Sequence, residues 1–243
     1  MSQGHRRAIV LWSGGLDSTT VLSIAREQGF QPFALIFRYG QRHAVEVEMA
    51  TALASELGVE YRIVELDLTA IGGSALTTAD IEVPLDRPSA TIATGAIPPT
   101  YVPARNTIFL AYGLAWAEVL GASDVFIGVN ALDYSGYPDC RPEYVEAFER
   151  MAYLACRATT EGGQAISIRT PLIRKTKVEI IQLGVSLGVD YSRTWSCYNP
   201  RPSETGGVVS CGRCDSCLLR RKGFRDAGVP DPTRYENASA RSD

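Results

Sequence analysis

The 243-residue sequence predicts an α/β fold, a parallel sheet covered by helices with a small cysteine-rich unit at the C-terminal end. Three observations predict it. Apolar runs alternate with stretches of helical spacing through the first half of the chain. The segment SGGLDST, residues 13–19, stands between the first apolar run and the first helical stretch, where a parallel sheet binds anions. Four of the six cysteines fall at Cys197, Cys211, Cys214 and Cys217.

Residues 7–12 read as a strand buried on both faces, its apolar run unbroken from Ala8. Residues 17–28 carry helical spacing through Val21, Leu22, Ile24 and Ala25 and stop at Gly29. A strand over 31–37, a helix over 44–57 stopped by Gly58 and a strand over 61–66 continue the β-α-β-α-β rhythm. Residues 67–104 break it with Pro84, Pro88, Pro98, Pro99 and Pro103; a connection this long is a lid, a binding loop or a disordered stretch. Regular structure resumes with a helix over 106–120, a strand over 124–129 and a helix over 142–157 with Pro142 in its first turn. A strand over 166–170 and a helix over 176–187, opened by a Thr176 cap, complete the α/β part. The expected division is therefore an α/β domain over 1–190 with an insertion at 67–104, a four-cysteine segment with a terminal helix over 191–235, and a disordered polar tail over 236–243.

Composition narrows the function. No apolar stretch approaches the ~20 residues that cross a bilayer, and residues 8–12 are too short for a signal peptide, so a cytoplasmic protein without a membrane partner is expected. The formal net charge of −3 argues against a nucleic-acid partner. Arg213, Arg220, Arg221, Lys222 and Arg225 form a local exception, read either as helix-end and solvated charge or as a nucleic-acid patch. With only His5 and His43, the chain lacks the parts for a histidine triad or a multi-histidine metal site.

The loop at 13–18 lacks the lysine of the commonest nucleotide-binding loop. Gly14 and Gly15 let the backbone approach an anion, Ser13, Ser18 and Thr19 add hydroxyl donors, and Asp17 suits a Mg²⁺ that bridges phosphates. The same letters also serve a plain strand-to-helix turn with Ser and Asp as caps. Cysteines spaced Cys-x₁₃-Cys-x₂-Cys-x₂-Cys suit a tetrahedral Zn²⁺ that is closed to water and therefore structural. An iron–sulfur cluster and disulfides are the other readings, although residues 218–221 supply neither the fourth Cys nor the Pro of the ferredoxin run. Cys156 reads as buried packing.

SGGLDS resembles the pyrophosphate loop of the N-type ATP pyrophosphatases, which cleave ATP to AMP and pyrophosphate while adenylating a substrate. The longer likeness is to the 7-cyano-7-deazaguanine synthases of queuosine precursor biosynthesis. It is carried by SGGLDSTT, YGQRH at 39–43, VPARN at 102–106, DYSGYPDCRPEY at 133–144, TPLIRKTKVEI at 170–180 and TWSCY…CGRCDSCLLR at 194–220. Ala104 departs from the glycine expected before Arg105 and Asn106.

The resemblance implies an ATP-dependent ligase that joins 7-carboxy-7-deazaguanine to ammonia and makes the nitrile by adenylating first the acid and then the amide. It implies Mg²⁺ with ATP, one structural Zn²⁺ on Cys197, Cys211, Cys214 and Cys217, and a homodimer. It implies that Trp12, Ser13, Gly14, Gly15, Leu16, Asp17, Ser18, Thr19, Thr20, Val21 and Leu22 bind ATP, and that Asp17, Ser18, Lys177 and Arg105 carry the catalysis. Lys175 is a second candidate for the phosphates, and a solvated helical turn explains both lysines as well. Asp133, Tyr137, Asp139 and Asn106 are the candidates for the deazaguanine; turn formation and helix capping use the same residue types. Cys140 as a nucleophile lacks a visible base, and His43 is either a proton carrier or a structural polar residue. The rival readings are another adenylating enzyme, acting on tRNA or on a protein amine, and a zinc-ribbon module that binds nucleic acid.

Overall fold

The structure is a computed structural model that describes residues 6–43, 45–92, 97–132 and 137–236. Its first strand, β1 (Arg6–Leu11), is fully buried from Ala8 onward, as a strand covered by helices on both faces must be. It leads through the glycine loop into α1 (Leu16–Glu27), β2 (Phe30–Arg38), α2 (Val45–Glu56) and β3 (Glu60–Glu65). The long connection that follows contains a single-turn helix, α3 (Ser89–Ile92), and ends at α4 (Arg105–Leu120). Then come β4 (Asp124–Ile127), α5 (Pro142–Ala155), the short α6 (Arg157–Thr160), β5 (Ser167–Arg169) and α7 (Lys177–Ser186). A two-residue hairpin, β6 (Arg201–Pro202) with β7 (Val208–Val209), precedes the last helix, α8 (Asp215–Ala227).

The five long strands form one sheet in the order β3-β2-β1-β4-β5, every pair parallel, with Ile9 opposite Phe33 on one side and Val125 on the other. The chain runs outward from β1 to β3, then returns past β1 to start β4. The order thus reverses between β1 and β4, which opens a crevice at their carboxyl ends. Side-chain alternation divides the core between the two faces. Ala8 and Val10 pack with Val21, Leu22, Ile180, Ile181 and Phe224 from α1, α7 and α8. Ile9 and Leu11 pack with Leu110, Leu114 and Phe148 from α4 and α5.

The predicted elements appear with ends displaced by a residue or two: β2 and α4 run longer than expected, β1, α1 and β3 start one residue earlier, and the others are trimmed. β4 stops at Ile127 and β5 covers only Ser167–Arg169, because the chain leaves the sheet into the loops that build the crevice. Thr176 caps α7 as expected, and reciprocally: Glu179 donates its amide to Thr176 Oγ1 at 3.3 Å and returns a carboxylate to the Thr176 amide at 2.7 Å. The β6–β7 hairpin is too short to leave a periodic signal and was not anticipated.

The described part of the 67–104 connection is packed. Leu68, Ala75, Leu76, Val83 and Val102 are buried in the core. Its middle is tied to the C-terminal segment: Leu85 bridges Cys214, the Asp86 amide donates to the Arg213 carbonyl at 2.8 Å, and Arg87 pairs with the buried Asp215 at 2.8 Å. At the end of the connection Ala104 has φ of +54° and enters α4 from the left-handed region, the conformation that makes glycine the expected residue. Of the polar tail expected at 236–243, all but Glu236 lies outside the described residues.

Candidate active site

A cavity of about 230 Å³ opens in the crevice. Its floor is the β1 exit and the glycine loop, Leu11 to Ser13 and Gly15 to Ser18, with Ile127 to Asn130 after β4. β2 and α2 give Ile36, Phe37, Glu46 and Val47, and α4 gives Arg105, Asn106 and Phe109. Lys177 enters from α7, and Trp195 and Tyr198 from the four-cysteine segment.

The loop is shaped for an anion. No side chain caps α1, so the amides of its first turn are unclaimed by a cap, and the residues of that turn line the cavity. The Ser13 and Ser18 hydroxyls lie 3.1 Å apart, and Ser18 Oγ also accepts from the Ser13 amide at 3.3 Å and donates to the Gly15 carbonyl at 3.2 Å. Gly14 has φ of +71°, and a Cβ there would meet Ala50 of α2 at 3.0 Å, so only glycine lets α2 lie this close. Gly128 has the same duty from the other side: a Cβ would meet the Ser18 amide nitrogen at 3.1 Å. No motif marked Gly128 in the sequence, since its requirement comes from β4 lying beside α1.

Lys177 Nζ donates to both carboxylate oxygens of Asp17, at 2.8 and 2.9 Å, across 160 positions of sequence. Position 223 of α8 must be glycine for Lys177 to hold this place, because a Cβ there would meet Lys177 Cγ at 2.4 Å. Arg105 pairs with no carboxylate of the described residues; its Nη1 donates to the Tyr39 hydroxyl at 3.4 Å, and its guanidinium lies about as far from the Phe109 ring, 6.0 Å, as from that of Tyr39, 5.9 Å. A guanidinium held by rings rather than acids is poised for an incoming anion.

Asn106, Asp139 and Cys140 form a buried knot. Asp139 Oδ2 accepts the Asn106 amide at 3.0 Å, and Asn106 Nδ2 donates to the Asp139 carbonyl and to Cys140 Sγ, each at 3.3 Å. Asp139 thus caps α4, and its other oxygen has no partner among the described residues. Burial raises the Asp139 pKa against the pull of the Asn106 amide and Arg105, and burial pushes the Cys140 thiol up to about 12. Asn106, Tyr137 and Cys140 line the cavity while Asp139 stands behind them. Tyr137 meets Thr100 Oγ1 at 3.1 Å, which fixes its ring at the cavity wall. Asp133 lies outside the described residues.

Several residues expected at the nucleotide face inward. Thr19 Oγ1 accepts the Trp12 indole at 3.1 Å, and Thr20 donates to the Leu16 carbonyl at 2.9 Å and meets Tyr191 OH at 2.8 Å. Val21 and Leu22 are wholly buried in the core under α1. Trp12 does both jobs, buried yet lining the cavity edge. Lys175 does not line the cavity. His43 sits in a small side pocket with Arg42, where burial lowers its pKa. Glu46, Phe109, Trp195 and Tyr198 line the cavity without having been singled out; Trp195 and Tyr198 flank Cys197 in TWSCY, and Glu46 follows YGQRH by three positions.

The cysteines meet as the spacing predicts. All four Sγ atoms are buried and lie within 4.8 Å of one another, with Cys211 at 3.5 Å from Cys197 and 4.0 Å from Cys217. Sulfurs around a tetrahedral Zn²⁺ stand about 3.8 Å apart. Backbone amides point at the sulfurs, Asn199 and Cys211 to Cys197 Sγ at 3.3 and 3.2 Å, Arg213 and Cys214 to Cys211 Sγ at 3.4 and 3.3 Å. Hydrogen bonding from Cys197 first, then Cys214 and Cys217, lowers the Cys211 thiol, while hydrogen bonding from Cys197, Cys211 and Cys214 raises Cys217. Four thiolates need a cation in their midst, and this donor set fits zinc. The neighbouring basic cluster is committed internally: Arg213 to Asp86, Arg220 to Asp231, and Lys222 and Arg225 to Asp226.

Residues 7–228 match the family model described as "Queuosine biosynthesis protein QueC". The chain is 62% identical over 237 residues to a 7-cyano-7-deazaguanine synthase of Syntrophobacter fumaroxidans, covering 97% of this chain and 99% of that one. It is 61% identical to the enzyme of the same name from Solidesulfovibrio magneticus, covering 95% and 96%. A solved NMN synthetase from Francisella tularensis is 18% identical with a TM-score of 0.45, covering 94% of this chain and 74% of that one. With the family model spanning nearly the whole chain, from the first strand to the last helix, the protein belongs to the QueC family of queuosine biosynthesis proteins.

Proposed function

We propose that the cavity converts 7-carboxy-7-deazaguanine and ammonia to 7-cyano-7-deazaguanine, spending ATP as AMP and pyrophosphate in two successive adenylations. The observation that carries this reading is the lining of one cavity by the uncapped glycine loop, Lys177 and Arg105. The names borne by relatives about 60% identical over almost the full chain support the substrate.

The glycine loop holds the β- and γ-phosphates. As the acid's oxygen attacks the α-phosphorus, charge grows on the departing pyrophosphate, and the first-turn amides of α1 with the Ser13 and Ser18 hydroxyls are already aimed at it. Lys177 adds a full positive charge there. Mg²⁺ bound with ATP would supply further charge neutralisation, and Asp17 is the carboxylate that would hold it. Arg105 takes the substrate carboxylate, and Tyr137 and Phe109 offer flat walls to the heterocycle. Ammonia displaces AMP from the acyl-adenylate to give the amide. Adenylation of the amide oxygen then lets the C–O bond break as the nitrogen sheds its last proton, and the nitrile forms. Zn²⁺ on Cys197, Cys211, Cys214 and Cys217 is structural in this reading.

The test is oxygen tracing. Substrate carrying ¹⁸O in both carboxylate oxygens should release two AMP molecules per nitrile, each with one ¹⁸O. Label appearing in phosphate, or ADP in place of AMP, would refute the adenylation chemistry.

A further inference from the structure

Between ammonium and nitrile the nitrogen loses all four of its protons, so the site described above needs a proton acceptor beside the nitrogen. The catalytic groups assigned so far do not provide one. Asp17 is engaged by Lys177 through both oxygens. Cys140 is buried, its Sγ accepts from Asn106 Nδ2, and burial pushes it up to about 12. The Tyr39 and Tyr137 hydroxyls are also raised by burial.

One lining carboxylate has no assigned task. Glu46 stands in the first turn of α2, and its side chain lines the cavity without a hydrogen-bond or ion-pair partner among the described residues. It precedes Ala50 by one helical turn, on the α2 face that meets Gly14 of the phosphate loop. Around it stand Tyr39, Tyr198 and Arg105, with His43 and Arg42 in the adjoining side pocket. Arg105 acts on it through space but is not in salt-bridge contact. Glu46 therefore shares with Arg105 the part of the cavity where the reading above puts the substrate carboxylate.

We propose that Glu46 binds the incoming nitrogen as ammonium and accepts its protons, first in amide formation and again in nitrile formation. This rests on the adenylation reading. In the first step an N–H bond of ammonium breaks, the proton moves to the Glu46 carboxylate, and the freed lone pair forms the C–N bond; as the C–O bond to AMP breaks, the nitrogen passes a second proton to the departing AMP phosphate, leaving the neutral amide. In the last step the adenylated amide, which has passed its third proton to solvent on forming, gives its fourth to Glu46: the N–H electron pair becomes the third C–N bond and the C–O bond to AMP breaks. Burial pushes the carboxyl up to about 7, against the pull of Arg105, which suits a group that must both take and release protons near neutral pH.

Hydroxylamine, a neutral amine at pH 7, captures acyl-adenylates without needing a base to free its lone pair. The experiment compares hydroxamate and amide formation by zinc-loaded full-length protein with ATP, Mg²⁺ and 7-carboxy-7-deazaguanine, in wild type and Glu46→Gln. The expected result is a rise in the hydroxamate-to-amide ratio of about 100-fold or more in the variant. An unchanged ratio overturns the proposal. Absence of hydroxamate from wild type overturns the adenylation reading itself, and the proposal with it. Should Glu46→Gln not fold, Glu46→Asp keeps the charge but withdraws it by one methylene; the ratio must still rise, and an unchanged ratio there is equally fatal.

Discussion

The Trp195 amide donates to the Gly14 carbonyl at 3.0 Å, joining the residue two before a cluster cysteine to the left-handed glycine of the phosphate loop. The Trp195 carbonyl then sits where a Cβ on Gly15 would meet it at 3.3 Å. The four-cysteine segment is thus one wall of the glycine loop. Through Cys214, Arg213 and Asp215 the same segment also grips the 67–104 connection.

Metal removal should therefore be felt at the nucleotide site. Stripping the cysteine cluster with a chelator should weaken ATP binding by about tenfold, or 1.4 kcal/mol, and speed hydrogen exchange at residues 13–19. Calorimetric titration with ATP before and after zinc is restored checks the first, and exchange mass spectrometry the second. Unchanged exchange at the loop in a protein shown to be metal-free would break the link.

Lys177→Met should lower the rate of pyrophosphate release by about 100-fold, because a charge aimed at the leaving group is lost and Asp17 is left without its partner. Lys177→Arg, which keeps the charge, should recover part of that loss. Pyrophosphate release under saturating ATP measures both, and a loss confined to KM would place Lys177 in ground-state binding alone.

Ala104 holds φ of +54° at the entry to α4. An L-residue there costs roughly 1–2 kcal/mol relative to a conformation free of strain, and glycine escapes most of that cost. Ala104→Gly should raise unfolding stability by about 1 kcal/mol, read as a shift in the urea midpoint without a change in slope. A lower midpoint would mean that the alanine methyl contributes packing worth more than the strain.

Cys140 lines the cavity but is buried, accepts from Asn106 and is pushed up to about 12, so its thiolate is scarce at neutral pH. Cys140→Ser should keep nitrile formation within about threefold, and iodoacetamide should not label Cys140 in the folded protein at pH 8. Loss of all turnover in a folded Cys140→Ser protein would revive a thioester route.

Most of the fold was legible because local signals agreed with it. Apolar runs named the buried strands, Gly29 and Gly58 marked ends, and Thr176 with Glu179 wrote the cap of α7. The glycine loop at the β1 exit and the cysteine cluster were legible because each is held within a short segment. What stayed hidden depends on distance in sequence. The Lys177–Asp17 pair spans 160 positions, and the glycine requirement at Gly128 exists only because β4 lies against α1. Glu46 is one of several glutamates in its helix, and only the fold turns it toward the cavity while leaving Glu48 exposed. Thr20, Val21 and Leu22 show the opposite limit: they adjoin the loop in sequence, but the turn of α1 carries them into the core.

In the proposed mechanism an anion-holding loop, Lys177 and Arg105 act on one bound acid. Mass spectrometry of a single reaction tests it most directly: zinc-loaded protein with ATP, Mg²⁺, ammonium and 7-carboxy-7-deazaguanine, with acid, amide, nitrile, AMP and ADP followed together. Nitrile should accumulate with two AMP for each, and amide should pass through a transient maximum. AMP without amide or nitrile would contradict the proposed substrate, and nitrile formed with ADP, or without nucleotide turnover, would contradict the mechanism.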